Sequence, residues 1–187
     1  MKKKDLLKEL IEHVDIKTFD ATAIVDAMRK MSFTARDTAR AADILSMMIE
    51  DKDCTIMLCI AGSTSAGGCM QVYIDMVRHN MVDAIVATGA TIVDMDFFEA
   101  IGFRHYKGSP FVDDNKLREL YIDRIYDTFI DEEQLQVCDE TIKKIADGLE
   151  KRPHSSREFI REMGKYLTRR AKKKDSLKES PEAGDEI

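Results

Sequence analysis

The chain has 187 residues, of which 44% are hydrophobic and 34% charged, and its formal net charge is −6 at pH 7. This composition predicts a folded protein of ordinary domain size, and the acidic balance argues against nucleic-acid binding through the overall field. No apolar run approaches the roughly 18 residues that a membrane-spanning helix needs, so we expect no membrane insertion and a cytoplasmic location.

Three helices are predicted before the first strand. They cover residues 3–14, 20–31 and 34–49, and the third carries Ala41, Leu45 and Met48 on one side. We therefore expect an N-terminal helical segment over residues 1–50.

The most informative pattern lies between residues 54 and 94. An apolar run at residues 54–61 leads into a turn of small residues at 62–68, and an amphipathic helix then extends to about His79. A second apolar run, Ala84–Ala87, ends at Thr88, Gly89 and Ala90. Continuous apolar runs are typical of parallel strands that are covered on both faces. The pattern predicts a βαβ unit in an α/β domain over residues 51–168.

The turn at residues 62–68 has two interpretations. Its glycines permit positive φ and a close approach of backbone to ligand, while Ser63, Thr64 and Ser65 offer hydroxyls that bind phosphate or cap a helix. The turn lacks the GxGxxG spacing and a Walker lysine. The pattern alone therefore favours an ordinary tight βα turn over a phosphate site.

Acidic residues, cysteines and histidines give weaker signals. Asp94 and Asp96 could bind a cation or transfer protons, but carboxylates at the end of a strand are more often helix caps. The four cysteines form no CxxC pair and no metal spacing with histidine, so we expect buried free thiols and no metal site. His105 is expected in a loop at the surface.

Helices are predicted again at residues 116–129 and 131–149. Ser155 and Glu158 then form a capping box that opens a helix to about Leu167. Beyond it, a basic block and a stretch of Ser, Pro, Gly and acidic residues show no apolar periodicity. We expect a charged disordered tail over residues 169–187.

Short segments of the chain resemble the deoxyhypusine synthase family in order and spacing. The resemblance is closest to its bacterial and archaeal deoxyhypusine-synthase-like members, some of which make homospermidine, and it covers residues 16–176. The matching segments are residues 32–36, 41–44, 52–55, 81–83 with 87–90, 105–109, 124–127 and 155–160.

The resemblance implies a Rossmann-like doubly wound parallel sheet, truncated, that follows N-terminal helices. It also implies an NAD-dependent aminobutyl transferase. Family members oxidise spermidine with NAD, release diaminopropane, hold the butylimine on a lysine and pass it to an acceptor amine. The acceptor is a lysine of the hypusine-bearing translation factor or a small amine such as putrescine. Sites in the family lie between two subunits of a tetramer, so we expect a homo-oligomer.

The resemblance also places cofactor-binding residues in two loops and at one carboxylate. In this family the small residues of the second loop let NAD approach the edge of the sheet, and an acidic pair follows that loop in eukaryotic members. Val93 occupies one position of that pair here. The matching residues are Thr64, Ser65, Ala66 and Gly67 in the first loop, Thr88, Gly89 and Ala90 in the second, and Asp94 beyond it.

The family's spermidine-binding carboxylates, a histidine and the imine-forming lysine follow a segment like residues 174–176. Residues 177–187 do not resemble that part. The chain is therefore expected to be truncated, with no catalytic residue of its own. One hypothesis is that a complementing C-terminal half supplies the missing residues. The alternative is a catalytically inactive remnant or regulatory paralogue that binds a full-length relative.

Overall fold

The computed structural model describes residues 2–178, and contacts divide them into two compact units. One is Ile11–Thr91, and the other combines residues 2–10 with 92–178. The predicted divisions at residues 50 and 168 stay predictions, and the contact units divide the chain at other positions. None of the described helices is long and apolar enough to span a membrane.

Three helices precede the first strand. They are α1 (Lys3–Leu6), α2 (Thr22–Met28) and α3 (Phe33–Glu50), with a short 3-10 turn at Ile16–Thr18. The first helix ends well before the predicted residue 14. Leu10 instead forms an antiparallel bridge with Tyr106, and the N–H of Lys107 donates to the carbonyl of Glu9 at 2.7 Å. Extended pairing with a distant segment has therefore replaced the helix there.

The predicted βαβ unit is present. Strands β1 (Met57–Ile60) and β2 (Ala84–Ala87) are parallel, with Ile60 opposite Ala87, and α4 (Met70–Arg78) connects them. The strands are not covered on both faces among the described residues, because Met57 is 57% and Val86 53% exposed. A small parallel sheet with helices confirms the α/β class, but two parallel strands do not confirm a doubly wound sheet.

A three-stranded antiparallel sheet in the other unit was not predicted. After a π-type helical turn at Ala90–Phe97 and a short helix, α5 (Phe98–Ala100), the chain forms β3 (Tyr106–Lys107), then α6 (Asp114–Glu119), β4 (Ile122–Ile125) and β5 (Thr128–Asp131). Strand β5 pairs with both β3 and β4. The strand β3 falls in a region that was expected to be loop.

The helix predicted at residues 116–129 is wrong. Helix α6 ends at Glu119, and the residues that follow form the β4–β5 hairpin. Tyr121 and Tyr126 have φ of 54° and 55°. A positive φ cannot continue a right-handed helix, so Tyr121 ends α6 and Tyr126 helps to reverse the chain between the two strands.

Two long helices complete the described chain: α7 (Glu132–Asp147) and α8 (Ser156–Lys178). The predicted capping box of α8 is confirmed, because the N–H of Ser155 donates to Glu158 Oε2 at 2.8 Å and the N–H of Glu158 donates to Ser155 Oγ at 3.2 Å. Helix α8 includes residues 169–178, which the sequence placed in a disordered tail. The rest of that tail, residues 179–187, lies outside the described residues.

Two apolar clusters form the core of the unit that contains α7 and α8. His105 is buried beside them rather than at the surface, with Nδ1 2.6 Å from Glu99 Oε1 and its ring 5.1 Å from that of Phe98. The clusters comprise Phe97, Phe98, Ile101, Ile130, Cys138 and Met163, and separately Leu117, Ile122 and Phe129.

The four cysteines are free, but they are less buried than expected. Cys138 is buried, Cys54 and Cys69 are partly buried, and Cys59 is exposed on β1. Burial raises the pKa of the Cys138 thiol to about 12, which keeps it protonated at neutral pH.

Gly108 provides a test of the core around Phe129. A Cβ at Gly108 would lie 2.6 Å from carbons of the Phe129 ring, which is itself buried. Because that ring has no room to withdraw, we expect Gly108→Ala to lower the free energy of unfolding by about 1–3 kcal/mol. Gly164 on α8 is the matched control, since a Cβ there would meet nothing within 4 Å. Gly164→Ala should raise stability by about 0.5–1 kcal/mol. Equal shifts of the two variants in urea denaturation would contradict this account.

A pair of hydrogen-bonded carboxyls predicts a pH dependence of stability. Burial, the hydrogen bond to Glu132 and the charge of Glu132 raise the pKa of Asp123 to about 6, whereas the hydrogen bond to Asp123 lowers that of Glu132. The unfolded chain releases the Asp123 proton near pH 4. The folded state thus holds an extra proton between about pH 4 and 6, and its stabilising effect is lost as the pH rises through 6.

We expect Asp123→Asn to remove this loss. After allowance for solvent screening, the gain at pH 7.5 should be at most about 1 kcal/mol, or roughly 2–4 °C in Tm. Stability between pH 5 and 7 should also become flatter. Asp127→Asn changes another exposed aspartate of the same hairpin and is the control. Thermal unfolding at several pH values that gives the same slope for both variants would show that the carboxyl pair does not matter.

Candidate functional site

Both loops of the predicted cofactor site leave the parallel sheet at the same edge. Strands β1 and β2 are parallel and Ile60 lies opposite Ala87, so the residues after each strand start side by side. The turn at residues 62–68 therefore lies next to Thr88, Gly89 and Ala90. In α/β proteins this carboxyl edge is where ligands bind.

A buried threonine joins the two loops. Thr91 Oγ1 donates to the carbonyl of Gly62 at 3.2 Å and lies 3.1 Å from Thr88 Oγ1, which also accepts from the N–H of Thr91 at 3.3 Å. Thr91 is only 1% exposed. The sequence analysis did not single out Thr91. A signal was present, because Thr88 is a hydroxyl residue three positions earlier, and an N-cap hydroxyl typically accepts the N–H of the third residue that follows it. The hydrogen bonds fix the spacing between the loops.

The first loop is a wide helical turn. Gly62 leaves β1 with a φ of +73°, and the π-type turn Ser65–Cys69 follows, closed by a bond from the N–H of Cys69 to the carbonyl of Thr64 at 3.0 Å. Gly68, two residues before the start of α4, has a φ of +104°. Single π-type turns are often found at functional sites, because they present the backbone in an unusual direction.

The predicted residues of the two loops differ in exposure. Thr64, Gly67, Thr88, Gly89 and Ala90 are exposed, whereas Ser65 and Ala66 are fully buried. A Cβ added at Gly67 or Gly89 would meet nothing within 4 Å, so there is open space above both loops.

The hydroxyls of Thr64 and Ser65 in the first loop differ in their hydrogen bonds. Thr64 Oγ1 accepts a hydrogen bond from Tyr73 OH at 2.8 Å, which ties the loop to α4. Ser65 Oγ is buried and has no hydrogen-bond partner among the described residues. A buried hydroxyl normally has a partner, so Ser65 Oγ is an exception among the buried polar atoms of the first loop.

Asp94 and Asp96 lie within the π-type turn Ala90–Phe97. Burial, with a smaller effect of the Asp139 charge, raises the pKa of Asp94. Both carboxylates lie inside the turn and not at its start, where the Thr88 hydroxyl accepts the N–H of Thr91. Residues 2–178 contain no group of three or more His, Cys, Asp or Glu side chains that could hold a metal, so nothing further supports a cation site at the pair.

Asp75 on α4 is a buried carboxylate, although it lies outside the helix's apolar stripe of Met70, Tyr73, Ile74 and Val77, which the sequence predicts to face the sheet. Only 3% of Asp75 is exposed, whereas Val77, which was expected to be covered, is 52% exposed. Asp75 forms an ion pair with Lys17 and accepts from Gln71 Nε2 at 3.1 Å. These hydrogen bonds, that from Lys17 above all, lower the pKa of Asp75. The compensated charge explains how a carboxylate is tolerated there.

The fold and this edge define an α/β protein whose parallel βαβ unit ends in two adjoining loops of small and hydroxyl residues. The sequence matches the family model for deoxyhypusine synthase over residues 23–181, which is most of the chain. The chain therefore belongs to the deoxyhypusine synthase family, as the resemblance predicted.

Several relatives show how much of the family's length is present. A deoxyhypusine synthase-like protein of Coxiella burnetii (strain RSA 493 / Nine Mile phase I) is 65% identical over 94% of this chain and 50% of its own length. One of Caulobacter vibrioides is 64% identical over 94% and 48%. A probable deoxyhypusine synthase 2 of Methanosarcina mazei is 35% identical over 88% and 47%. The chain spans about half the length of the curated relatives it matches.

Thr91→Val tests the link between the loops. The substitution keeps the shape of the side chain but removes the buried hydroxyl that donates to the carbonyl of Gly62, so we expect a loss of about 1 kcal/mol in the free energy of unfolding. Thr38→Val on α3 is the control, because Thr38 Oγ1 only donates to the carbonyl of Thr34 in its own helix, at an exposed position. That change should stay within about 0.5 kcal/mol. Similar losses for the two variants in urea denaturation would rule out a special role for Thr91.

Proposed function

We propose that the chain provides the cofactor-binding part of an enzyme that transfers the aminobutyl group of spermidine with NAD. The observation that carries the proposal is the pair of adjoining loops at the carboxyl edge of β1 and β2, held together by Thr91. At such an edge, backbone N–H groups and the start of a helix favour a bound phosphate. The proposal includes a Rossmann-like doubly wound sheet in which β1 and β2 are two neighbouring strands.

The residues at this edge fit a dinucleotide. Gly67 and Gly89 leave open space above the loops, and the hydroxyl residues Thr64 and Thr88 are exposed there. We assign the direct contacts to the exposed members of the site and the support of the first loop to its buried ones. The exposed members are Thr64, Gly67, Thr88, Gly89 and Ala90, and the buried ones are Ser65 and Ala66.

NAD, when bound, accepts a hydride from spermidine and returns it at the end of the transfer. The chain's own contribution is to bind the cofactor and hold it at the sheet edge. Asp94 stays a candidate for cofactor binding on the family resemblance alone. The acceptor amine is proposed to be a protein lysine or a small amine such as putrescine.

We propose that the nucleophilic amine comes from protein outside this chain. An imine-forming lysine needs a lowered pKa. The pKa of Lys17 is raised, chiefly by its hydrogen bond to Asp75. Burial lowers that of Lys3, but hydrogen bonds to Asp131 and Glu133 outweigh this and raise it. A polypeptide that corresponds to the C-terminal half of the relatives would supply the lysine, in a homo-oligomeric cytoplasmic assembly.

The test combines this chain with the C-terminal half of the Coxiella burnetii relative. We expect diaminopropane release that requires both polypeptides, NAD and spermidine. Gly89→Leu should weaken NAD binding in calorimetric titration at least about tenfold, because the new side chain fills space that the cofactor needs, and should leave Tm unchanged because nothing lies within 4 Å. Ser46→Leu, exposed on α3, should alter neither quantity.

Two outcomes would count against parts of the proposal. A complex that binds NAD but releases no diaminopropane would favour the alternative, an inactive or regulatory paralogue that binds a full-length relative. A complex that does not bind NAD, or that binds it equally well with Gly89→Leu, would rule out the cofactor role of these loops.

A further inference from the structure

A short N-terminal segment runs along the first loop. We call Glu12–Lys17 the strap. The N–H of Val14 in the strap donates to the carbonyl of Gly68 at 3.0 Å. A Cβ at Gly68 would lie 2.9 Å from the carbonyl oxygen of Glu12, and the φ of Gly68 is +104°. Backbone therefore packs on backbone at this point, and only glycine satisfies both the space and the dihedral angle.

The other end of the strap is fastened to α4 by the Lys17–Asp75 ion pair. The Asp75 side chain is nearly buried, and Gln71 and Lys17 are its hydrogen-bond donors. Asp15 also lies 3.0 Å from Lys17 Nζ, and its side chain accepts from the N–H of Lys17 at 3.0 Å, which holds the lysine in the strap. The Lys17 side chain is 47% exposed, but the loss of its charge would leave the nearly buried Asp75 carboxylate without a cation, so the contact is hard to break without moving the strap.

We propose that the strap is a positioning element of the dinucleotide site and that Lys17 and Asp75 are its positioning residues. The strap contacts the first loop at Gly68, three residues after the buried Ser65, and contacts α4 at Asp75, so it spans the junction between the loop and the helix. It thereby holds the loop in the one conformation in which its backbone faces the phosphates. This inference rests on the proposed function.

The experiment uses the complex with the C-terminal half of the Coxiella burnetii relative. Lys17→Met removes the charge but keeps most of the stem, and Lys17→Arg keeps the charge. Arg29→Met removes two other ion pairs of the same unit, those with Asp26 and Asp43. We measure hydrogen exchange at the amides of residues 65–70 without NAD, the Kd for NAD, and Tm.

We expect Lys17→Met to speed exchange at residues 65–70 about tenfold and to raise the Kd for NAD by a similar factor. Lys17→Arg should restore both values, and Arg29→Met should change neither. If Lys17→Met does not fold, the double variant Lys17→Met/Asp75→Asn, which leaves no buried charge, should fold and show the same faster exchange and weaker binding.

The possible outcomes distinguish a failure of the positioning role of the strap from a failure of the proposed function. Unchanged hydrogen exchange at residues 65–70 in Lys17→Met would overturn the positioning role of the strap, whatever the affinity for NAD. A raised Kd with unchanged exchange would also overturn it, because Lys17 would then act on the ligand directly. Absence of NAD binding by the unsubstituted complex would refute the proposed function, while faster exchange in Lys17→Met would still show that the strap orders the loop.

Discussion

The parallel pairing of β1 with β2 is the constraint on which the candidate site depends. If the strands ran antiparallel, the residues after Ile60 and Ala87 would leave at opposite edges, and no shared site could form. Polar contacts hold the register at both ends. The N–H of Asp83 donates to the carbonyl of Ile56 at 2.9 Å before the strands, and Thr91 joins the loops after them. The site geometry thus depends on a few hydrogen bonds as much as on apolar burial.

Elements with a local signal could be predicted from the sequence, and those with a misleading local signal could not. The apolar runs of β1 and β2 and the capping box of α8 are local, and all three are present. Residues 117, 121, 125 and 129 are Leu, Tyr, Ile and Phe, an i+4 repeat typical of a helix. They belong instead to α6, a turn, β4 and β5. The positive φ of Tyr121 and the pairing of β5 with β3 are not visible in such a pattern.

Polar contacts between distant residues left no sequence signal. Lys17 and Asp75 are 58 residues apart, and a carboxylate outside the apolar stripe of α4 is ordinarily assigned to solvent. Its burial depends on a cation from another segment. The same holds for Thr91, whose partner Gly62 is 29 residues away. The loops that carry the candidate site were therefore predictable, whereas the residues that hold them in place were not.

Exposed side chains on β1 and β2 need to be covered, and the proposed reaction needs a nucleophilic amine. In the proposed assembly, the same additional polypeptide meets both needs. A parallel sheet is normally covered on both faces, yet Met57, Ile85 and Val86 are exposed among the described residues. The relatives extend over about twice the length that this chain spans. In the proposed assembly, strands and helices from that length cover these side chains and add parallel strand ends to the same edge. Because active-site groups of α/β proteins gather at this edge, completing the sheet and supplying the nucleophile would be one structural event.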